Sequence, residues 1–169
     1  MTTQQPNLPF KISTLIFIED AQKRHLLIKR KKSPNQGLWS PIGGKLEMDK
    51  GESPHQCACR EIEEEIQWQV AEKDLHLFGM ITEKAYEGSQ HWLMFLYHCL
   101  CPLKFHPKTI GEGSFDFFSS EALSHIPIPT TDRQTLWKLY AEHRQGFVAG
   151  RIDCTTPASP TMTVEQIIH

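Results

Sequence analysis

Short apolar blocks and alternating apolar and polar positions dominate the first two thirds of the chain, with a helical period in two stretches. Lys11 to Glu19 is rich in β-branched and aromatic residues and reads as a strand, and His25 to Arg30 reads as a second around Leu26, Leu27 and Ile28. Ser33-Pro34-Asn35-Gln36-Gly37 carries turn chemistry. Leu38 to Ile42 is short and extended, and Gly43-Gly44 is expected to break the chain sharply. Leu75 to Tyr86 and His91 to Cys101 read as long strands joined at Glu87-Gly88-Ser89, an antiparallel hairpin. Phe115 to Phe118 is a further short strand. Ser120 to His125 reads as a short helix. Leu136, Leu139 and Tyr140 recur at helical spacing behind Thr-Thr-Asp and predict a helix over Thr131 to His143. Gln145 to His169 is rich in Pro, Thr and Ser at its middle and reads as a tail, with one strand at Phe147 to Cys154. Strands that cluster in sequence and then meet helices predict an α+β fold with helices packed on a mixed sheet, not a doubly wound one. The expected division is an N-terminal tail at 1–9, one domain at 10–145 and a C-terminal tail or extension at 146–169.

The strongest helix signal spans Ser53 to Gln67. Ser53 suits the N-cap, Pro54 the first helical position, and Gln56 completes a capping box. Wound at ~100° per residue, Ala58, Ile62 and Ile66 form an apolar stripe. Glu61, Glu64 and Glu65 fall together on the adjoining face, while Glu63 points away. Like charges at this spacing each cost an exposed helix roughly 0.2–0.5 kcal/mol, and partial burial raises the cost. Two readings follow: a solvated acidic face, or a site whose oxygen ligands suit a hard divalent cation such as Mg²⁺ or Mn²⁺.

The 169 residues are a normal size for one domain, and 39% hydrophobic content supports a core. A formal charge of −2 with mixed signs gives no basic field for duplex nucleic acid. The one cationic cluster, Lys29 to Lys32, reads as a solvated strand end or a phosphate-steering rim. No apolar run approaches the ~20 residues of a membrane span, and Met1 to Pro9 is polar, unlike a signal peptide. Five cysteines at no framework spacing point to free thiols and a cytoplasmic, reducing compartment. Cys57-Ala-Cys59 and Cys99-Leu-Cys101 lack the spacing of structural zinc sites.

Glu52, seven residues, then Arg60-Glu61-Ile62-Glu63-Glu64-Glu65-Ile66, preceded by Pro41-Ile42-Gly43-Gly44-Lys45-Leu46-Glu47, resembles the Nudix box. The resemblance covers Gly43 to Trp68 and many fixed positions. It implies a Nudix-like α/β/α sandwich with a loop–helix–loop catalytic motif. It implies Mg²⁺-dependent (or Mn²⁺-dependent) hydrolysis of a diphosphate linkage in a small nucleotide-like molecule, with nucleoside triphosphates and nucleotide sugars foremost. By that resemblance Glu61, Glu64, Glu65 and the Gly43 carbonyl ligate metal, and Arg60 and Glu52 brace the motif. Glu64, Glu61 or Glu112, in Gly111-Glu112-Gly113, would serve catalysis. Lys45, Trp39 and Tyr86 are candidates for holding substrate, against a plainer role for the two aromatic residues in packing. A nucleotide-sensing module without turnover is the alternative, and loss of a box glutamate would have favoured it. Two departures from the family pattern stand out. Seven residues separate Gly44 from Glu52 where the family has five, so Met48-Asp49-Lys50 looks like a loop carrying a two-residue insertion. Gln67 replaces a glycine expected to end the helix in a left-handed conformation, at ~1 kcal/mol unless the helix ends differently.

Overall fold

A computed structural model describes residues 7–169; the first six residues of the expected N-terminal tail lie outside it. Strands β1 (Phe10–Phe17), β2 (His25–Arg30), β3 (Trp39–Ser40) and β4 (Ile42–Lys45) precede helix α1 (Pro54–Ile66). Strands β5 (Leu75–Tyr86), β6 (Gln90–Cys99) and β7 (Gly113–Phe118) follow, then helix α2 (Trp137–His143) and strands β8 (Phe147–Asp153) and β9 (Thr161–Ile168). A six-stranded mixed sheet has the order β4-β1-β6-β5-β8-β9, and β3-β2-β7 form a smaller antiparallel sheet.

Successive side chains of a strand point to opposite faces, so the central strand β1 serves two cores. Ile16 packs with Ala58, Ile62 and Ile66 of α1, and Leu26, Ile28 and Phe115 bring the small sheet onto the same core. Phe17 packs with Leu136, Leu139 and Tyr140 on the opposite side, its ring stacked on Tyr140 at 4.6 Å between centroids. Helix, sheet and helix thus form an α/β/α sandwich in which both faces of the large sheet are covered.

The hairpin of β5 and β6 is antiparallel, with residues 85, 87 and 88 at positive φ around its turn. Gly43 and Gly44 do not break the chain. They are paired strand residues of β4, opposite Leu15 and Thr14, and the break falls instead at Pro41, where the chain leaves the small sheet for the large one. The short helix expected at Ser120 to His125 is a single 3₁₀ turn at Ala122–Ser124. The helix over Thr131 to His143 opens with a π-helical stretch, Asp132–Leu136, before α2.

The segment read as a tail, 146–169, contributes two strands to the large sheet. β8 lies parallel to β5 and inserts Val148 and Ile152 into the α2 core. Its buried residues, Val148, Gly150 and Ile152, sit at alternate positions, a pattern too short to identify a partner; the uncovered edge of β5 supplies one.

Candidate functional site

Helix α1 begins as its sequence dictates. Ser53 Oγ accepts from the Gln56 N–H at 3.2 Å, and Gln56 Oε1 accepts from the Ser53 N–H at 3.0 Å. It ends at Gln67, which takes the left-handed conformation (φ 54°) and donates its N–H to the Glu63 carbonyl at 2.9 Å. Met48–Lys50, the loop expected to carry the insertion, form a 3₁₀ turn closed by a left-handed Gly51, and Lys50 pairs with Glu47 at 2.8 Å.

Burial of the apolar stripe carries Glu61 and Glu65 to the rim of the α1 core, where Glu65 is 5% exposed. Glycines make room beside them. A Cβ on Gly43 would sit 2.0 Å from the Thr14 carbonyl oxygen, and one on Gly44 would sit 2.1 Å from Glu61 Oε1. At position 43 the obstacle is β1 backbone, so only glycine lets β4 lie there; at position 44 it is the end of the Glu61 side chain.

Arg60 ties loop to helix. Its Nε donates to Glu52 Oε1 at 2.6 Å and its Nη2 to Glu52 Oε2 at 3.0 Å, a forked pair. The same guanidinium donates to Glu61 at 2.9 Å, Glu64 at 3.1 Å and the Lys45 carbonyl at 3.1 Å. Hydrogen bonding from Arg60 holds the Glu52 carboxyl below the usual carboxylate range.

These elements border a cavity of about 380 Å³. Its acidic side chains fall into two groups by mutual influence. Glu61, Glu65 and Glu112 form the first. Burial, then the charges of Glu61 and Glu112, push Glu65 up to about 9, and burial raises Glu61 against the pull of Arg60. Glu112 arrives from the turn before β7, where Gly113 passes so close to β2 that an added Cβ would lie 2.2 Å from the Lys29 carbonyl oxygen. The second group is Glu83 of β5 and Asp132 of the π-helical stretch, beside Tyr86. Burial pushes Glu83 up to about 8, reinforced by Asp132, and pushes Asp132 up to about 7.

The candidate residues are therefore divided. Gly43, Lys45, Glu61, Glu65, Tyr86 and Glu112 line the cavity. Lys45 places Nζ 5.9 Å from the centre of the Trp92 ring, also on the wall, and the Tyr86 hydroxyl donates to Asn35 Oδ1. Glu64 does not line the cavity: its side chain is 58% exposed and bound to Arg60. Trp39 does not line it either, and packs edge-on against Phe118 at 4.8 Å. Glu83 and Asp132 escaped the sequence reading. A charge in step with Ile81 on the covered face of β5 was the available signal for Glu83; Asp132 looked like part of a helix start.

The first group fits a hard divalent cation. Glu65 Oε2 is buried with no hydrogen-bond partner, in a cavity that Glu61, Glu112 and Gly43 also line. Like-charged neighbours and a buried bare oxygen are a combination that an oxygen-seeking cation relieves. Among the described residues no three metal-binding side chains converge on one point, and Arg60 keeps Glu61 and Glu64 in ion pairs. All five cysteines are free thiols, and Cys57, Cys99 and Cys154 are buried. Among the described residues no helix is long and apolar enough to cross a membrane.

A family model of the Nudix domain matches residues 9–143. The fold is shared with the MutT protein of Bacillus halodurans, at 21% identity and a TM-score of 0.70 over 92% of this chain and 97% of that one. The MutT Nudix hydrolase of Burkholderia pseudomallei is 26% identical, with a TM-score of 0.60 over 77% and 95% of the two chains. The dihydroneopterin triphosphate pyrophosphohydrolase of E. coli is 17% identical, with a TM-score of 0.60 over 80% and 97%. A domain match spanning most of the chain, on a sandwich whose loop–helix–loop brings Glu61 and Glu65 to a cavity, settles the family: the chain belongs to the Nudix hydrolases.

Proposed function

We propose that this protein hydrolyses the diphosphate linkage of a nucleoside diphosphate derivative, a nucleoside triphosphate or a nucleotide sugar, with Mg²⁺ or Mn²⁺ as cofactor. The observation that carries the reading is that Glu61, Glu65 and Glu112 line one cavity, with Glu65 Oε2 buried and unpartnered. Bound there, a divalent ion would neutralise phosphate charge and acidify a bound water. Glu61, Glu65, Glu112 and the Gly43 carbonyl are the groups that would hold it. Glu61 and Glu112 face the cavity and Glu64 faces Arg60, which favours the first two over Glu64 as acceptor of the attacking water's proton. Lys45 stands on the wall beside Trp92, suited to phosphate oxygens. Arg60 acts through position: it fixes Glu52 in the loop and Glu61 on the helix.

Turnover of a nucleotide panel with Mg²⁺ and with Mn²⁺, products separated by chromatography, tests the reading. Release of a mononucleotide that disappears in Glu65→Gln is the expected result. A folded protein that binds nucleotides and turns over none of them would overturn it in favour of a sensing module.

A further inference from the structure

A second cavity, of about 300 Å³, lies between the start of β2, the segment after β7 and helix α2, and shares no lining residue with the first. Among the described residues three buried side-chain polar atoms have no hydrogen-bond partner. Glu65 Oε2 belongs to the first cavity, and His25 Nδ1 and Trp137 Nε1 belong to residues that line the second. The two rings meet edge to face, 4.9 Å between centroids. His25 is 5% exposed and bonds through Nε2 to Ser120 Oγ at 2.9 Å, while its Nδ1 stays 3.8 Å from Glu19 Oε1, beyond hydrogen-bond reach. An indole N–H only donates, so Trp137 is short of an acceptor. Buried polar atoms are normally satisfied, by protein or by something bound.

The charge on this wall is the reverse of that in the first cavity. Five carboxylates line the first, and no acid lines the second, where Arg133 and Arg144 stand instead. Arg133 donates from Nη1 to the Leu123 carbonyl at 2.8 Å and from Nη2 to the Ile126 carbonyl at 2.6 Å. Those partners are neutral: they fix the guanidinium without offsetting its charge. Arg144 reaches Glu19 at 2.9 Å, but the same carboxylate accepts from the Tyr140 hydroxyl at 2.9 Å and has Lys23 at 3.8 Å, so two cations share one acid. The rest of the wall is apolar: Leu123, Ile128 and Ala141 with the rings of Trp137 and Tyr140.

We infer that this second cavity is a binding site for a small organic carboxylate with a flat apolar body. The carboxylate brings the acceptor oxygens that Trp137 Nε1 lacks and the negative charge that Arg133 lacks, and a guanidinium takes a carboxylate through paired N–H donors. The flat body lies against aromatic and aliphatic walls. Water would satisfy an N–H but would neither offset the charge nor cover the apolar wall. A volume of about 300 Å³ is at the small end of ligand pockets, room for one or two fused rings. The inference stands apart from the hydrolase reading, since no residue of the first cavity enters it.

Nitrogen-labelled full chain, with chelator present, tests this through the indole N–H signals of its four tryptophans, the Trp137 signal being identified with Trp137→Phe. The probes are 2-naphthoate, its uncharged analogue 2-naphthamide, and acetate. Naphthoate is expected to move the Trp137 signal to saturation, while the amide and acetate at equal concentration leave it in place. Arg133→Gln should weaken naphthoate about tenfold, the scale of one charge-assisted hydrogen bond. Ala141→Leu, which fills the cavity from an exposed helical position without changing charge, should abolish binding and decides the matter if Arg133→Gln fails to fold. A Trp137 signal that naphthoate does not move would leave the cavity to water and overturn the inference. So would an amide that binds as tightly as the acid, or naphthoate binding that survives Ala141→Leu unchanged.

Discussion

The carboxylate of Glu61 occupies the space that any side chain at position 44 would need: a Cβ on Gly44 would lie 2.1 Å from Glu61 Oε1 and 2.3 Å from its carboxyl carbon. The glycine is therefore a condition for where this carboxylate sits, quite apart from any turn. The far end of a glutamate moves easily, so Gly44→Ala is expected to leave the fold intact while displacing Glu61 from Arg60 and the cavity. Activity should fall at least about tenfold in kcat, the scale on which misplaced catalytic groups act, with little change in denaturation midpoint. A variant as active as the parent would remove Glu61 from the mechanism.

The bare Oε2 of Glu65 makes opposite predictions with and without cation. Without metal, Glu65→Gln removes a carboxyl that burial and two like charges oppose, so the variant should be as stable as the parent or more so. With Mg²⁺ or Mn²⁺ at about 100 times its dissociation constant, the parent should gain roughly 2.7 kcal/mol of stability from binding to the folded state alone. The variant should gain little. Thermal melts of both proteins with chelator and with metal check it; equal metal-dependent shifts would place the ion elsewhere.

Glu83 carries a pH signature. Its folded pKa is pushed up to about 8, whereas an unfolded glutamate ionises in the ordinary range. Between those values the folded state holds more protons than the unfolded one, so stability from this group falls as pH rises from about 4 to 8. Glu83→Gln cannot titrate, and its urea midpoint should decline less steeply across that window than the parent's. Parallel declines would mean that Glu83 is ionised throughout.

Gln67 occupies a left-handed helix end that a glycine enters without a Cβ penalty. Gln67→Gly should stabilise the protein by about 0.5–1 kcal/mol, the relief of the left-handed conformation less the extra freedom of an unfolded glycine. Activity should not change, because the hydrogen bond from its N–H to the Glu63 carbonyl belongs to the backbone. A loss of stability would show that the Gln67 side chain, not the backbone, holds the turn.

The two C-terminal strands should differ sharply under truncation. The side chains of β9 are almost all exposed, so ending the chain before Thr161 should leave a folded protein with β8 as the new sheet edge. Ending it after Gly146 also removes the buried Val148 and Ile152 and uncovers β5. Large-to-small changes at such sites cost about 2–5 kcal/mol each, against a typical total of 5–15 kcal/mol. Circular dichroism should show the longer product folded and the shorter one unfolded. A folded product lacking 147–169 would make this segment an accessory to the domain.

The sequence by itself determined helix α1: cap, apolar stripe and acidic face depend on residues three and four apart, and that information is local. It also determined the hairpin of β5 and β6, whose strands need only a short turn between them. It could not determine which carboxylates share a cavity. On helical spacing alone Glu64 stands beside Glu61 and Glu65, yet it lies at the surface, paired with Arg60. Glu112, Glu83 and Asp132 come from three distant segments and meet because β2 with β7, β5 with β6, and the π-helical stretch before α2 close around one space. The same is true of β8, whose place beside β5 is a parallel pairing across most of the second half of the chain. Side-chain periodicity reports which face of an element is apolar; only the packing of those faces against one another decides which polar groups at their margins are brought together.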